Sequence, residues 1–282
     1  MDEIIIKGNE VEALTPEGQT ATMKVPDFVE ALAPRRFDTG DMVWPDGVKA
    51  VQSQGDAVVL VHQSAPRVYN FRWIAKDSEA PFGKGTKYRT VRIALPYLVI
   101  FVLYVPDERG RLQLSSSNEA FFRTKPITDL ERDELFFPAL LNCSRFDPPE
   151  GHPLSWICTQ HLDRAPLMRE MDEYRRIRMG FAALMKCLVE TGFNYSSEMH
   201  EASSWYSESK TVSKEIATVE AWEKASAKDP LFALDVPWLK TGLSVNNLIR
   251  RIFSNQRCAR RAARHAGDLA RIVMNRGHSK QS

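Results

Sequence analysis

Cys158 is the side chain best suited to covalent chemistry. It follows Trp156-Ile157 and precedes Thr159, Gln160 and His161. A thiol attacks carbon only as the thiolate, which needs partial exposure and an electropositive or dipolar neighbourhood. His152, His161 and Arg164 stand close enough in the chain to supply one. The residue type alone favours a plainer role, because free cysteine is among the most buried residues and often only fills space. Asn142 lies sixteen positions earlier. Its amide can donate to a developing oxyanion, and such a donor is worth ~3 kcal/mol where one has been removed. The alternative is an Asx-turn that shapes the loop after it.

Other chemistry fits less well. Cys143, His152, Cys158 and His161 are spaced C-x8-H-x5-C-x2-H. Zinc sites pair ligands a few residues apart at both ends, and only Cys158 and His161 do so. No metal and no cofactor are therefore expected. Gly83-Lys84-Gly85-Thr86 lacks the spacing of a Walker A loop and reads as a surface loop. Acidic pairs such as Asp172-Glu173 lie among arginines and read as surface ion pairs rather than an acid–base dyad.

The elements that must hold these residues follow from the apolar pattern. Residues 57–114 read as an antiparallel meander: Ala57 to Val61, Val68 to Ile74, then the near-continuous run Thr90 to Val105, interrupted by Pro96. Pro106 to Gly110 turns the chain back into Arg111-Leu112-Gln113-Leu114. Residues 115–162 show little periodicity and hold Pro138 and the loop Asp147 to Pro153, a composition typical of functional loops. Helical spacing runs from Leu167 to Leu188, with Gly192 as the expected C-cap. Further helices are expected over 198–226, with Trp205, Val219 and Trp222 as apolar contacts, and over 244–274; Trp238 is a further anchor. The layout is α+β, with a lead-in over 1–45, a core over 46–195 and a helical, basic extension over 196–282.

Charge is balanced overall at +2 in 282 residues. It is uneven along the chain: the last 33 residues hold Arg250, Arg251, Arg257, Arg260, Arg261, Arg264, Arg271, Arg276 and Lys280 against Asp268. That run can meet nucleic acid or an acidic partner, or dock on the chain's own acidic remainder. No aromatic residue alternates with the arginines, so a protein partner or self-docking is favoured over nucleic acid. The N-terminus has no signal-peptide pattern, and residues 93–105 are too short for a membrane span of ~20 residues. Four scattered cysteines fit a reducing compartment, so a cytoplasmic protein with no membrane partner is expected.

The order of these parts resembles the ubiquitin-conjugating-enzyme fold. More narrowly, it is similar to the prokaryotic ubiquitin-conjugating-like family D, the PRTRC-system protein B-like group. The matching run is Asp133-Glu134-Leu135-Phe136-Phe137-Pro138-Ala139-Leu140-Leu141-Asn142, then Trp156-Ile157-Cys158. The resemblance implies a conjugating-enzyme-like antiparallel meander with flanking helices. It makes Cys158 the thioester cysteine and Asn142 the amide beside it; by residue type and nearness in the chain, His152 or His161 is then expected to help deprotonate the thiol or the incoming amine. It further implies an adenylating activating protein, a small β-grasp modifier and a metallopeptidase as partners. The alternative is a non-catalytic scaffold on the same fold, associated with nucleic acid through its basic helices.

Overall fold

The computed structural model describes residues 3–16, 18–32, 44–74, 89–107, 110–147, 151–159, 162–190, 192–194, 204–263, 269–270, 273–274 and 278–279. The chain forms two compact units, 1–36 with 250–282, and 37–249. The sequence-based boundaries at 45 and 195 are therefore corrected. Residues 204–249 belong with the core, and the last segment of the chain pairs with the first.

The small unit is an antiparallel sheet of β1 (Glu3–Lys7), β2 (Glu10–Leu14), β3 (Thr20–Lys24) and β16 (His278–Ser279), with α1 (Val25–Leu32). Alternation in β2 and β3 sends Val11, Ala13, Ala21 and Met23 to one face, where they meet Phe28, Ala270 and Val273.

The large unit is built on one long ribbon. β4 (Val48–Gln54) pairs with β5 (Ala57–Ser64), and β5 with β8 (Tyr97–Pro106); β6 (Arg67–Ile74) pairs with β7 (Arg89–Leu95). Ser64 faces Leu98 and Arg67 faces Leu95, so one register runs through both pairs. That register sets Pro66 opposite Pro96. Proline has no N–H for the ladder, and the ribbon divides there into two sheets. Ala57 to Gln63 and Leu98 to Tyr104 are buried without alternation, so both faces are covered.

The ribbon is extended by β9 (Leu112–Leu114), β10 (Glu119–Arg123), β11 (Glu134–Phe136), β12 (Cys143–Phe146), β13 (Leu154–Ile157) and β15 (Lys240–Ser244), all antiparallel. The segment expected to be irregular therefore holds four strands. β14 (Gly192–Asn194) adds to β6 in parallel, so Gly192 opens a strand instead of capping a helix.

α2 (Ala165–Arg169) precedes α3 (Glu173–Glu190), whose Ile177, Phe181, Leu184 and Leu188 are buried at helical spacing. Asp172 caps α3 by accepting the Arg175 N–H at 2.7 Å, and Glu173 accepts the Leu112 N–H at 3.1 Å. Glu173 also pairs with Arg176 at 3.7 Å, the kind of ion pair expected of these residues, while both acids in addition serve the backbone. α4 (Trp205–Ser209), α5 (Val219–Lys228) and α6 (Val245–Ala263) follow. Trp205, Trp222 and Trp238 are buried anchors, as their type predicts. α5 covers the outer edge of β7. Ser226 Oγ accepts the Ala94 N–H at 2.8 Å, and Trp222 Nε1 donates to the Ala94 carbonyl at 2.9 Å. Among the described residues no helix is long and apolar enough to cross a membrane.

Candidate functional site around Cys158

Three chain segments meet where β13 ends. The first is the crossing from β11 to β12, which ends in Asn142. Phe137 in this crossing stacks on Trp205 at 3.6 Å, and Trp205 Nε1 donates to the Leu154 carbonyl at 3.0 Å. The second is the exit of β13 at Cys158. The third is the last turn of α3, with Cys187 and Leu188.

These segments close a hydrogen-bonded circuit. The Cys158 N–H donates to the Asn142 carbonyl at 2.8 Å. Asn142 Nδ2 donates to the Cys187 carbonyl at 3.2 Å and the Leu188 carbonyl at 3.1 Å. The Cys187 thiol donates to the Cys158 carbonyl at 3.3 Å. The last four carbonyls of a helix have no partner within it, and Asn142 satisfies two of them. Its amide orientation follows from these partners, because turning the oxygen toward two carbonyls would set acceptor against acceptor. Asn142 Oδ1 is then buried with no hydrogen-bond partner.

The thiols differ in access. Cys143 and Cys187 are buried and Cys158 is half-buried. Burial pushes the Cys187 thiol up to about 11, and the neighbouring Cys158 sulfur adds to the shift. Cys187 therefore stays a protonated donor. Trp156, two residues before Cys158, is exposed, with its indole N–H donated to the Ser116 carbonyl.

Of the expected helpers, Asn142, His152 and Arg164 are described, and each is engaged or placed elsewhere. Both amide bonds of Asn142 go to α3, which corrects its expected place over a thioester; the group left over is an acceptor, which cannot stabilise an oxyanion. His152 is exposed at the opposite end of β13, and the intervening strand alone spans roughly 10 Å. Its ring carbon lies 3.9 Å from the space a Cβ on Gly242 would fill. Its expected role at the thiol is corrected likewise. Arg164 donates to the Leu114 carbonyl at 2.8 Å. His161 lies outside the described residues, as do the 83–86 loop and the side chains of Arg257, Arg260, Arg261, Arg264, Arg271, Arg276 and Lys280. Among the described residues no three His, Cys, Asp or Glu side chains are grouped to hold a metal.

Two features carried too little sequence signal to be singled out. Cys187 sits among apolar residues of an amphipathic helix, and only its type marks it. His62 directly follows the apolar run Ala57 to Val61 in β5. Its Nε2 is 2.9 Å from the Asp46 carbonyl and its ring is 4.6 Å from that of Phe181. A small apolar cavity of about 30 Å³ lies between Phe71, Trp73, Ile93, Leu140, Tyr206 and Trp222. It has room for a water or two but gives them no polar wall.

No family model matches the chain, and no curated protein and no solved structure matches it.

Proposed function

We propose that this chain is a thiol-based acyl carrier of the ubiquitin-conjugating type, with Cys158 as its acceptor. One observation carries the reading: Cys158 is the most open of the three described free cysteines, and its backbone is held from two sides while its sulfur is left out of the circuit. The α+β sheet with its buried central strand is compatible with such a platform. The thiolate attacks the carbonyl carbon of an acyl adenylate; a thioester forms, AMP leaves, and the thiol proton passes to solvent. An amine then displaces the sulfur, forming an amide and restoring the thiol. In this reading Asn142 and Cys187 are positioning residues. The acyl group is the C-terminus of a small β-grasp modifier, supplied by an adenylating protein and removed by a metallopeptidase.

A second reading has its own support. Asn142 and Arg164 spend their donors on backbone carbonyls and His152 lies at the far end of β13, which favours a non-catalytic binding module on the same fold. One experiment separates the two. The chain and its variants are recovered from their native cells and resolved without reductant. The carrier gives a reducible adduct with the wild type, a base-labile and reductant-resistant adduct with Cys158→Ser, and none with Cys158→Ala. No adduct in the wild type, with Cys158 inert to iodoacetamide in the folded protein, leaves the binding module. A nucleic-acid role predicts instead binding that weakens steeply with salt and is lost on deleting residues 245–282.

A further inference from the structure

The outermost strand of the small unit has a charge pattern that is its own complement when reversed. β1 is Glu3-Ile4-Ile5-Ile6-Lys7 and, among the described residues, pairs on one side, with β2. Its turn is tight: Lys7 faces Glu10, leaving Gly8-Asn9 between them. Gly8 has φ 60°, and no described non-glycine residue has positive φ, which makes the turn type II′. Such a turn closes on a hydrogen-bonded pair, so by alternation the bonded pairs are Lys7 with Glu10, Ile5 with Glu12 and Glu3 with Leu14. The N–H and C=O of Ile4 and Ile6 point the other way, toward the open edge. Ile5 is 36% exposed and Ile6 64%. Edge strands are commonly guarded by proline, a bulge or a charge. The guards here are one acid and one base at opposite ends.

We propose that β1 is a pairing edge for a second copy of this chain, docked antiparallel about a twofold axis through Ile5. In that register Ile4 of each copy faces Ile6 of the other, and their outward groups make four backbone hydrogen bonds. Glu3 of each copy faces Lys7 of the other. Lys7 Nζ is already 3.3 Å from Glu12 Oε2, so it would lie between two carboxylates. Ile4 and Ile6 share the face of Val11 and Ala13, and pairing covers the exposed Ile6 with Ile4 of the second copy. Sliding two residues toward the turn would set Lys7 against Ile5 and leave Glu3 without a partner. The contact is small against the ~1,000 Å² of a stable complex, so the dimer is weak and forms at high concentration.

The test combines cross-linking with charge reversal. In this register residue 5 faces itself in a non-bonded pair, at a Cα spacing of about 4.5 Å that a disulfide accepts. Ile5→Cys treated with mild oxidant at a few hundred micromolar should form a covalent dimer at least about tenfold faster than Val29→Cys or the parent chain. By sedimentation, Glu3→Lys and Lys7→Glu should each shift the chain toward monomer, and the double reversal should restore the dimer. Cross-linking of Ile5→Cys no faster than of Val29→Cys overturns the proposal, as does a double reversal that stays monomeric while both hairpins retain their strand spectrum.

Discussion

Asn142 and His62 are both buried polar side chains, and each has one atom that nothing satisfies. An orphaned buried polar atom costs ~1–3 kcal/mol, so each is held by what the rest of the side chain does. For Asn142 that is the end of α3. Asn142→Ala should lose about 1–3 kcal/mol in urea denaturation. Asn142→Asp should lose more, because a carboxylate would face two carbonyls at the negative end of the helix dipole. A harmless Asn142→Asp would remove the capping account. For His62, burial holds the imidazole below its ordinary pKa, Arg67 and Lys49 push the same way, and the bond to the Asp46 carbonyl opposes them. The unfolded chain then binds the proton first, so stability should fall as pH drops below about 6.5. His62→Gln should flatten that part of a urea-midpoint-against-pH curve. Gly47, beside His62, has φ 88°, and a Cβ there would lie 2.7 Å from the Gln63 carbonyl oxygen. Gly47→Ala should cost about 1–3 kcal/mol through that overlap.

At the scale of elements, the link from β10 to β11 turns on Asp133. Its carboxylate accepts the Thr128 N–H at 2.6 Å, the Asp129 N–H at 2.8 Å and the Arg123 guanidinium at 2.8 Å. Burial raises its pKa, but these donors and the Arg123 charge outweigh it and hold the group below the usual carboxylate range. The contribution is complete above an unfolded value of about 3.9 and is lost as pH falls through the lower folded value. Asp133→Asn should lower the urea midpoint at pH 7 and lose less on going to pH 3 than the wild type. The same loop shows where sequence reading stops. β8 and α3 are legible because long apolar runs and helical spacing are local signals. β10 is five residues, all buried, so it shows no alternation. Its terminal Glu119 and Arg123 look like surface charges until Ser155 and Asp133 meet them from elsewhere in the chain. Cys158 could be singled out by type. The destination of the Asn142 amide could not, because its acceptors lie 45 and 46 residues further on.

For the whole molecule, the division into units depends on the return of the chain to its beginning. β16 pairs with β3, and Ala270 and Val273 complete the core beneath β2 and β3. Deleting residues 264–282 should raise amide hydrogen exchange in β2 and β3 and leave β5 and β8 unchanged. Equal loss of protection in both units would mean that they unfold as one.

The facing pair Pro66 and Pro96 acts as a firebreak in the ribbon. Unzipping that starts at the far end of β6 and β7 reaches a level with no rung left to break, and has to begin again at Ser64 and Leu98. The outer half can therefore open and reclose many times while the inner half stays shut. Exchange protection along this hairpin should fall into two plateaus with a sharp step at the prolines, and Pro66→Thr together with Pro96→Thr should merge them into one slope.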